Sequence, residues 1–347
     1  MIDLRASAWF QRLATALRPV LLAAPVLLLI ALPARGVTPK EKSKAPNGAW
    51  QPAAGTVTMP LWPGEPPDGR TQPGQLRNPA TAPEHNTTRA SDPLIAGKPV
   101  IRIGDVSIPT LTLYAPKANN THVAVLVFPG GAYHILAIDL EGTEVCNWLN
   151  SIGVNCILVK YRVPDSGPYP KSASALQDAQ RAMGLVREHA AEWKIDPDKV
   201  GVLGFSAGAH LAAALSTHHT ERMYPRIDAA DQLRCTPNFA VVLYPGYLAI
   251  AEDHYSFNPD LPVNSRTPPT FLLQTEDDHV AHVESSIAYF LALKHADVPV
   301  EMHIYTEGVH GYGLRRTALP VTRWPELVTR WLRTIAILPP SGGKTSH

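Results

Sequence analysis

Beyond residue 100 the chain alternates between two hydrophobic periods. Short apolar, β-branched runs at Thr110–Tyr114, Val123–Phe128, Asn155–Tyr161, Val200–Phe205, Phe239–Tyr244, Thr270–Thr275 and Val300–Tyr305 predict strands. Several are continuously apolar, the pattern of strands covered on both faces. Between them, Glu141–Ser151, Ser174–Trp193, Ala207–His218, Val283–Ala296 and Trp324–Ile337 carry helical patterns, and Asp196-Pro197-Asp198 marks a turn. This alternation predicts an α/β fold with a mostly parallel central sheet and helices on both faces. A length of 347 residues leaves room for two domains. One unit at 100–338, with a flexible tail at 339–347, accounts for the pattern.

The first hundred residues show neither period. Arg5, Arg12 and Arg18 precede an apolar run at Val20–Leu32 of about 13 residues, within the ~7–15 of a signal-peptide core and short of the ~20 that span a bilayer. Ala34 and Gly36 supply small residues for cleavage before Val37. Residues 1–36 are therefore expected to be a signal peptide, with an uncleaved N-terminal anchor as the alternative, and the protein periplasmic or secreted, without stable membrane insertion once the signal is cleaved. No cysteine follows the run to carry a lipid anchor. Proline accounts for 34 of the 347 residues, against a usual ~5%. Twelve of the 34 lie between Val37 and Pro99. Missing donors and sparse apolar residues predict a Pro-rich arm at 37–99, partly disordered, in which Leu61 and Trp62 are the residues able to strap onto a core.

Charge and cysteine content narrow the function classes. A net charge of +1 with no basic cluster excludes the electrostatic footprint of a nucleic-acid binder. Three cysteines are too few and too scattered for a disulfide framework or a zinc site. Cys146 and Cys156 are open to pairing in an oxidising compartment or to remaining as buried thiols.

The segment Gly204-Phe205-Ser206-Ala207-Gly208 matches G-x-S-x-G directly between a strand and a helix. So tight a turn leaves no room for Cβ atoms two residues either side of the serine, and it lifts Ser206 above the sheet at a helix N-terminus. A serine nucleophile needs a base, and the base needs an orienting acid. In the chain order Ser, Asp/Glu, His, the strand ending at Thr275 is followed by Glu276-Asp277-Asp278, and the last strand by a glycine-flanked His310. Asp278 is preferred to Asp277 as the acid because it lies furthest beyond the strand, although alternation alone does not decide between their faces. His303 sits within a strand pattern and reads as structural. Acyl transfer also needs oxyanion donors, each worth about 2.7–4 kcal/mol of barrier. The turn Phe128-Pro129-Gly130-Gly131 offers Gly130 or Gly131, to act with the amide of Ala207.

Taken together, Pro129-Gly130-Gly131-Ala132-Tyr133, Glu141-Gly142, Lys160-Tyr161-Arg162, Asp178-Ala179-Gln180-Arg181-Ala182, the Ser206 elbow, Asp277-Asp278 and His310-Gly311-Tyr312-Gly313 resemble the bacterial acetylxylan-esterase-like branch of the α/β-hydrolases. Leu61-Trp62-Pro63-Gly64 and Val106–Leu111 are similar to it too, so the resemblance covers about residues 59–337. It implies an exported carbohydrate esterase that removes acetyl, and in some members feruloyl, groups from plant polysaccharides without metal or organic cofactor. Sequences of this look are also labelled xylanases, but no paired carboxylates are arranged for glycoside chemistry. Ala209, where glycine is frequent, and Ala281-His282, where Val-Pro is frequent, depart from the pattern.

Rival functions keep part of this framework. A prolyl-oligopeptidase-type peptidase shares the elbow, yet about 60 Pro-rich residues cannot build its gating propeller. A non-catalytic hydrolase-fold binding protein would not need an intact Ser, Asp and His. Asp178 and Arg181 read as a structural ion-pair network. His210, His218 and His219 share a helix without a third ligand or an H-E-x-x-H pattern, so no metal is expected. Asn86-Thr87-Thr88 and Asn119-Asn120-Thr121 match the glycosylation pattern.

Overall fold

The computed structural model describes residues 50–68, 82–165 and 167–340. The expected signal peptide and the last seven residues lie outside the described residues. Eight strands hydrogen-bond into one sheet: β1 (Val57–Pro60), β2 (Thr110–Tyr114), β3 (Ala124–Phe128), β4 (Asn155–Lys160), β5 (Val200–Phe205), β6 (Ala240–Leu243), β7 (Thr270–Thr275) and β8 (Val300–Tyr305). Their spatial order is β1-β2-β4-β3-β5-β6-β7-β8. The β1–β2 and β2–β4 pairs are antiparallel, and every pair from β4 to β8 is parallel.

Every residue of β3 to β7 is buried. A strand has no face to give to solvent in that position, which is why these segments read as mainly apolar runs, with Asn155, Lys160, Thr270, Gln274 and Thr275 as buried polar exceptions. The cover comes from α1 (Glu144–Ser151), α2 (Ser174–Glu188), α3 (Ala207–Thr217), α4 (Glu284–His295) and α5 (Trp324–Thr334). Three helix boundaries differ from the sequence expectation by more than one residue, at the start of α1, the end of α2 and the end of α5, which stops at Thr334. A π-helical turn, Asp139–Thr143, replaces the first residues expected in α1. The α2 helix stops at Glu188, and the chain then turns through Lys194, which has φ +55°. Cys146 on α1 and Cys156 on β4 form a disulfide with their Cα atoms 5.1 Å apart, which resolves the alternative left open by the sequence. Cys235 is a buried free thiol.

Of the Pro-rich arm, residues 37–49 and 69–81, and with them the expected partial disorder, lie outside the described residues; the described parts are built into this unit and do more than strap onto it. Val57–Pro60 forms the edge strand β1, with Val57 opposite Leu113 and Pro60 opposite Thr110. Proline is tolerated there because an edge position leaves one side of the strand without a ladder partner. Leu61 and Trp62 then enter the core at 1% and 4% exposure, and the Leu61 amide donates to the Pro109 carbonyl at 2.9 Å. The Trp62 indole N–H donates to Asp178 Oδ1 at 2.8 Å. Its ring lies 5.9 Å and 5.8 Å from the guanidinium carbons of Arg162 and Arg181, within cation–π range.

Asp178 and Arg181, expected in one ion-pair network, belong to two. Asp178 pairs with Arg162, whereas Arg181 pairs with Asp228 and Asp231 and donates to the Leu61 carbonyl at 2.9 Å. Further along the arm, the nearly buried Arg315 donates to the carbonyls of Ile95, Lys98 and Pro99 and pairs with Asp139 and Glu144.

Trp62 is thus the main anchor of the arm. Replacing it with alanine is expected to cost about 3–5 kcal/mol. Trp62→Phe keeps an aromatic ring in the core but loses the donor to Asp178 and part of the indole volume, and is expected to cost less than the alanine change, about 1–3 kcal/mol. Urea unfolding midpoints measured for the three proteins check this order.

Candidate active site

The parallel strands β5, β7 and β8 all end on the same side of the sheet, and each hands over to a segment carrying one polar group. At the end of β5, Ser206 has φ +53° and ψ −118°, a backbone state that non-glycine residues rarely adopt. The surrounding glycines show what enforces it. A Cβ on Gly204 would stand 2.0 Å from the Gly208 carbonyl oxygen, and one on Gly208 would stand 2.1 Å from the Phe128 carbonyl oxygen. Both obstacles are backbone and cannot yield. Ala209, the departure from the usual elbow, is accommodated with its methyl fully buried.

Ser206 Oγ lies 2.9 Å from His310 Nε2, and His310 Nδ1 lies 2.6 Å from Asp278 Oδ2. A carboxylate can only accept, so Nδ1 carries the proton and Nε2 is left to accept from the serine hydroxyl. Asp278 is fully buried and its remaining capacity is filled: Oδ1 accepts from the amides of Val280 and Ala281 at 2.9 Å each, and Oδ2 from Gln274 Nε2 at 3.2 Å. Its neighbour Asp277 points at the histidine loop instead, accepting from the amides of Val309 at 2.8 Å and Gly308 at 3.1 Å. Desolvation opposes its charge, but those two amides hold its pKa below the ordinary carboxylate value. The two aspartates therefore divide the work, one orienting the imidazole and the other fixing the loop that carries it. His303 lies on β8 and bonds Glu301, away from this group.

One expected oxyanion donor has to be withdrawn. The amide of Gly130 donates to Glu141 Oε2 at 2.7 Å and is occupied. Among the described residues, the amides of Gly131 and Ala207 have no protein acceptor. Gly131 must be glycine, with φ +137° and the Ile135 carbonyl oxygen 2.0 Å from the place of a Cβ.

Two residues of this site carry no assigned role in the sequence pattern, Glu141 and Tyr244. Glu141 is buried, and its second oxygen accepts from the Tyr244 hydroxyl at 2.8 Å. Burial raises its pKa, against the hydrogen bonds from Tyr244 and Gly130 that favour its charged form. In sequence Glu141 belongs to the Glu141-Gly142 pair that carries the resemblance but has no role attached to it, and Tyr244 reads as the end of a strand.

The helix histidines do not converge on a ligand. His210 Nδ1 meets the Tyr133 hydroxyl at 2.8 Å, while His218 and His219 each turn Nδ1 to a backbone carbonyl. His210 is fully buried, and desolvation, with a lesser contribution from His218, pushes its pKa down to about 3.

The BD-FAE family profile matches residues 111–244. The acetylxylan esterase of Xylanibacter ruminicola is 28% identical over 240 residues, which cover 63% of this chain and 46% of that protein, so the chain spans under half the length of this curated relative. The crystal structure of an acetyl ester-xyloside bifunctional hydrolase from Caldicellulosiruptor lactoaceticus is 31% identical with a TM-score of 0.61, covering 81% of this chain and 97% of that one. MGS-M1, an α/β hydrolase from a Medee basin deep-sea metagenome library, is 29% identical with a TM-score of 0.54, covering 65% of this chain and 92% of that one.

A neutral buried histidine makes stability acid-sensitive. The unfolded chain protonates His210 below about pH 6.5, whereas the folded chain resists until far lower pH, so its contribution is present above that value and lost as pH falls. Replacing His210 with glutamine is expected to flatten the fall in Tm between about pH 6.5 and pH 4, as read by thermal melts across that range; an unchanged slope would remove His210 as the cause. The elbow, the eight-stranded sheet and these matches together place the chain in the BD-FAE family of α/β-hydrolase-fold esterases.

Proposed function

We propose that the protein is an exported serine esterase that hydrolyses short-chain acyl esters, acetyl foremost, of plant-type carbohydrates such as acetylxylan. The observation that carries this reading is the unbroken chain of hydrogen bonds from Ser206 through His310 to Asp278. Ser206 Oγ attacks the ester carbonyl carbon while His310 Nε2 takes its proton. The negative charge that develops on the carbonyl oxygen is received by the amides of Gly131 and Ala207. Collapse of the tetrahedral intermediate breaks the bond to the alcohol, which leaves with the proton from His310. Water, deprotonated by the same imidazole, then attacks the acyl-serine and releases the carboxylic acid. Asp278 holds the tautomer and stabilises the imidazolium in both halves.

The preference for short acyl groups on a bulky alcohol rests on the segment between β6 and β7. Its secondary structure is a small hairpin, Ala249–Ile250 with Ser256–Phe257, and a single 3-10 turn at Ala251–Asp253, which makes little of a lid. The sugar as the alcohol rests on the acetylxylan esterase of X. ruminicola and the acetyl ester-xyloside hydrolase of C. lactoaceticus. Export rests on the N-terminal sequence pattern, and no helix among the described residues is long and apolar enough to cross a membrane.

Hydrolysis of 4-nitrophenyl acetate by the wild type, with a loss of at least about 10³-fold in Ser206→Ala, is the expected outcome. Equal activity in both proteins would sink the mechanism. Acetate release is then measured on acetylated xylan, glucomannan, pectin and free sugar acetates, with methyl ferulate as the second acyl class and 4-nitrophenyl β-xyloside as the glycoside control. Release from none of the carbohydrates would move the substrate to another small ester. Faster cleavage of dipeptidyl anilides than of acetyl esters would favour the peptidase. For export, the protein recovered from the periplasm or medium is expected to begin at Val37 on N-terminal sequencing.

A further inference from the structure

Glu141 is a buried carboxylate, 4% exposed, and none of the ion pairs in the described structure involves it. An anion in that position is costly unless its oxygens are fully hydrogen-bonded. Its two principal partners come from opposite sides of the catalytic group. Oε2 takes the Gly130 amide at 2.7 Å, in the turn that follows β3. Oε1 takes the Tyr244 hydroxyl at 2.8 Å, and that hydroxyl in turn accepts from the Gly313 amide at 3.2 Å, in the loop that carries His310. The Tyr244 ring also lies edge-on to the His310 ring, with centroids 5.1 Å apart.

There is no slack at the Gly130 end. A Cβ on Gly130 would stand 2.7 Å from Glu141 Oε2 and 3.0 Å from the Ser206 Cβ, so carboxylate, turn and nucleophile are in direct succession. With the Gly130 amide tied to the carboxylate, the next amide in that turn, at Gly131, is without a protein acceptor among the described residues. We propose that Glu141 is a positioning residue of the esterase, a buried carboxylate that sets the oxyanion turn on one oxygen and, through Tyr244, the histidine loop on the other. Resting on the serine-esterase reading, this gives the carboxylate a function felt mainly in the transition state. Oxyanion donors act where charge develops, so a misdirected turn lowers kcat and leaves the binding of the uncharged ester almost untouched. Burial raises the pKa of Glu141, yet both oxygens accept, the geometry of the charged form.

The test uses Glu141→Gln, Tyr244→Phe and the double variant, with competent sites counted by fluorophosphonate titration of Ser206. Failure of the wild type to label would strike at the esterase reading itself; with a labelled wild type, only the variants bear on Glu141. Glu141→Gln is expected to lose about 10²-fold in kcat per labelled site on 4-nitrophenyl acetate, with KM within about threefold. Its affinity for a boronic acid, which forms a tetrahedral adduct on the serine, is expected to fall in parallel with kcat. The double variant is expected to be little worse than the poorer single one, because the two side chains act as one unit. Wild-type kcat per labelled site in Glu141→Gln, a loss confined to KM, or full additivity in the double variant would each overturn the proposal. Should Glu141→Gln not fold, Tyr244→Phe decides by the same split between kcat and KM.

Discussion

The close approach of Gly208 to the end of β3 is the constraint on which the rest of the site depends. Helix α3 starts so near the Phe128 carbonyl that no side chain fits between them. That contact locks the strand-helix turn of β5 to the glycine turn after β3, and so fixes Ser206 relative to the turn that carries the Gly131 amide. Ser206 accepts an unfavourable backbone state as the result. The wholly buried strands on either side make the strain tolerable, since neither β3 nor β5 has freedom to retreat.

Around this centre, the histidine loop is held by acids at several points. Asp278 holds the imidazole, Asp277 holds the amides of residues 308 and 309, and Glu141 reaches Gly313 through Tyr244. Thr275 adds a hydroxyl donor to the Val309 carbonyl at 2.8 Å. A loop rich in glycine is needed to bring the imidazole over the strand ends, and the ring of acceptors removes the freedom that those glycines introduce.

How much of this is legible in the sequence depends on how local each signal is. The strands and their order of chemistry are legible, because mainly apolar runs mark β3 to β7 and the polar groups fall at their ends. The choice between Asp277 and Asp278 is weakly legible, since adjacent residues at a strand end differ only in direction. The occupied amide of Gly130 is not legible at all: its partner lies eleven residues away, inside a π-helical turn that has no distinctive composition. The β1 strand is hidden by prolines that would exclude it from the middle of a sheet but not from its edge. The disulfide depends on how α1 lies against β4, a matter of packing that spacing does not encode.

Arg315 redraws the limits of the folded unit. Composition places a border at residue 100, where the prolines thin out. Yet this one guanidinium, just after the histidine loop, binds three carbonyls from residues 95 to 99 together with the acids that flank the π-helical turn. A fragment beginning at residue 100 would lose those acceptors, the edge strand and the Trp62 anchor at once. The portable module, the piece that a fusion or a recombination event would have to carry intact, therefore includes at least the edge strand from Val57 onward, and part of the sequence that looks like a linker travels with the sheet.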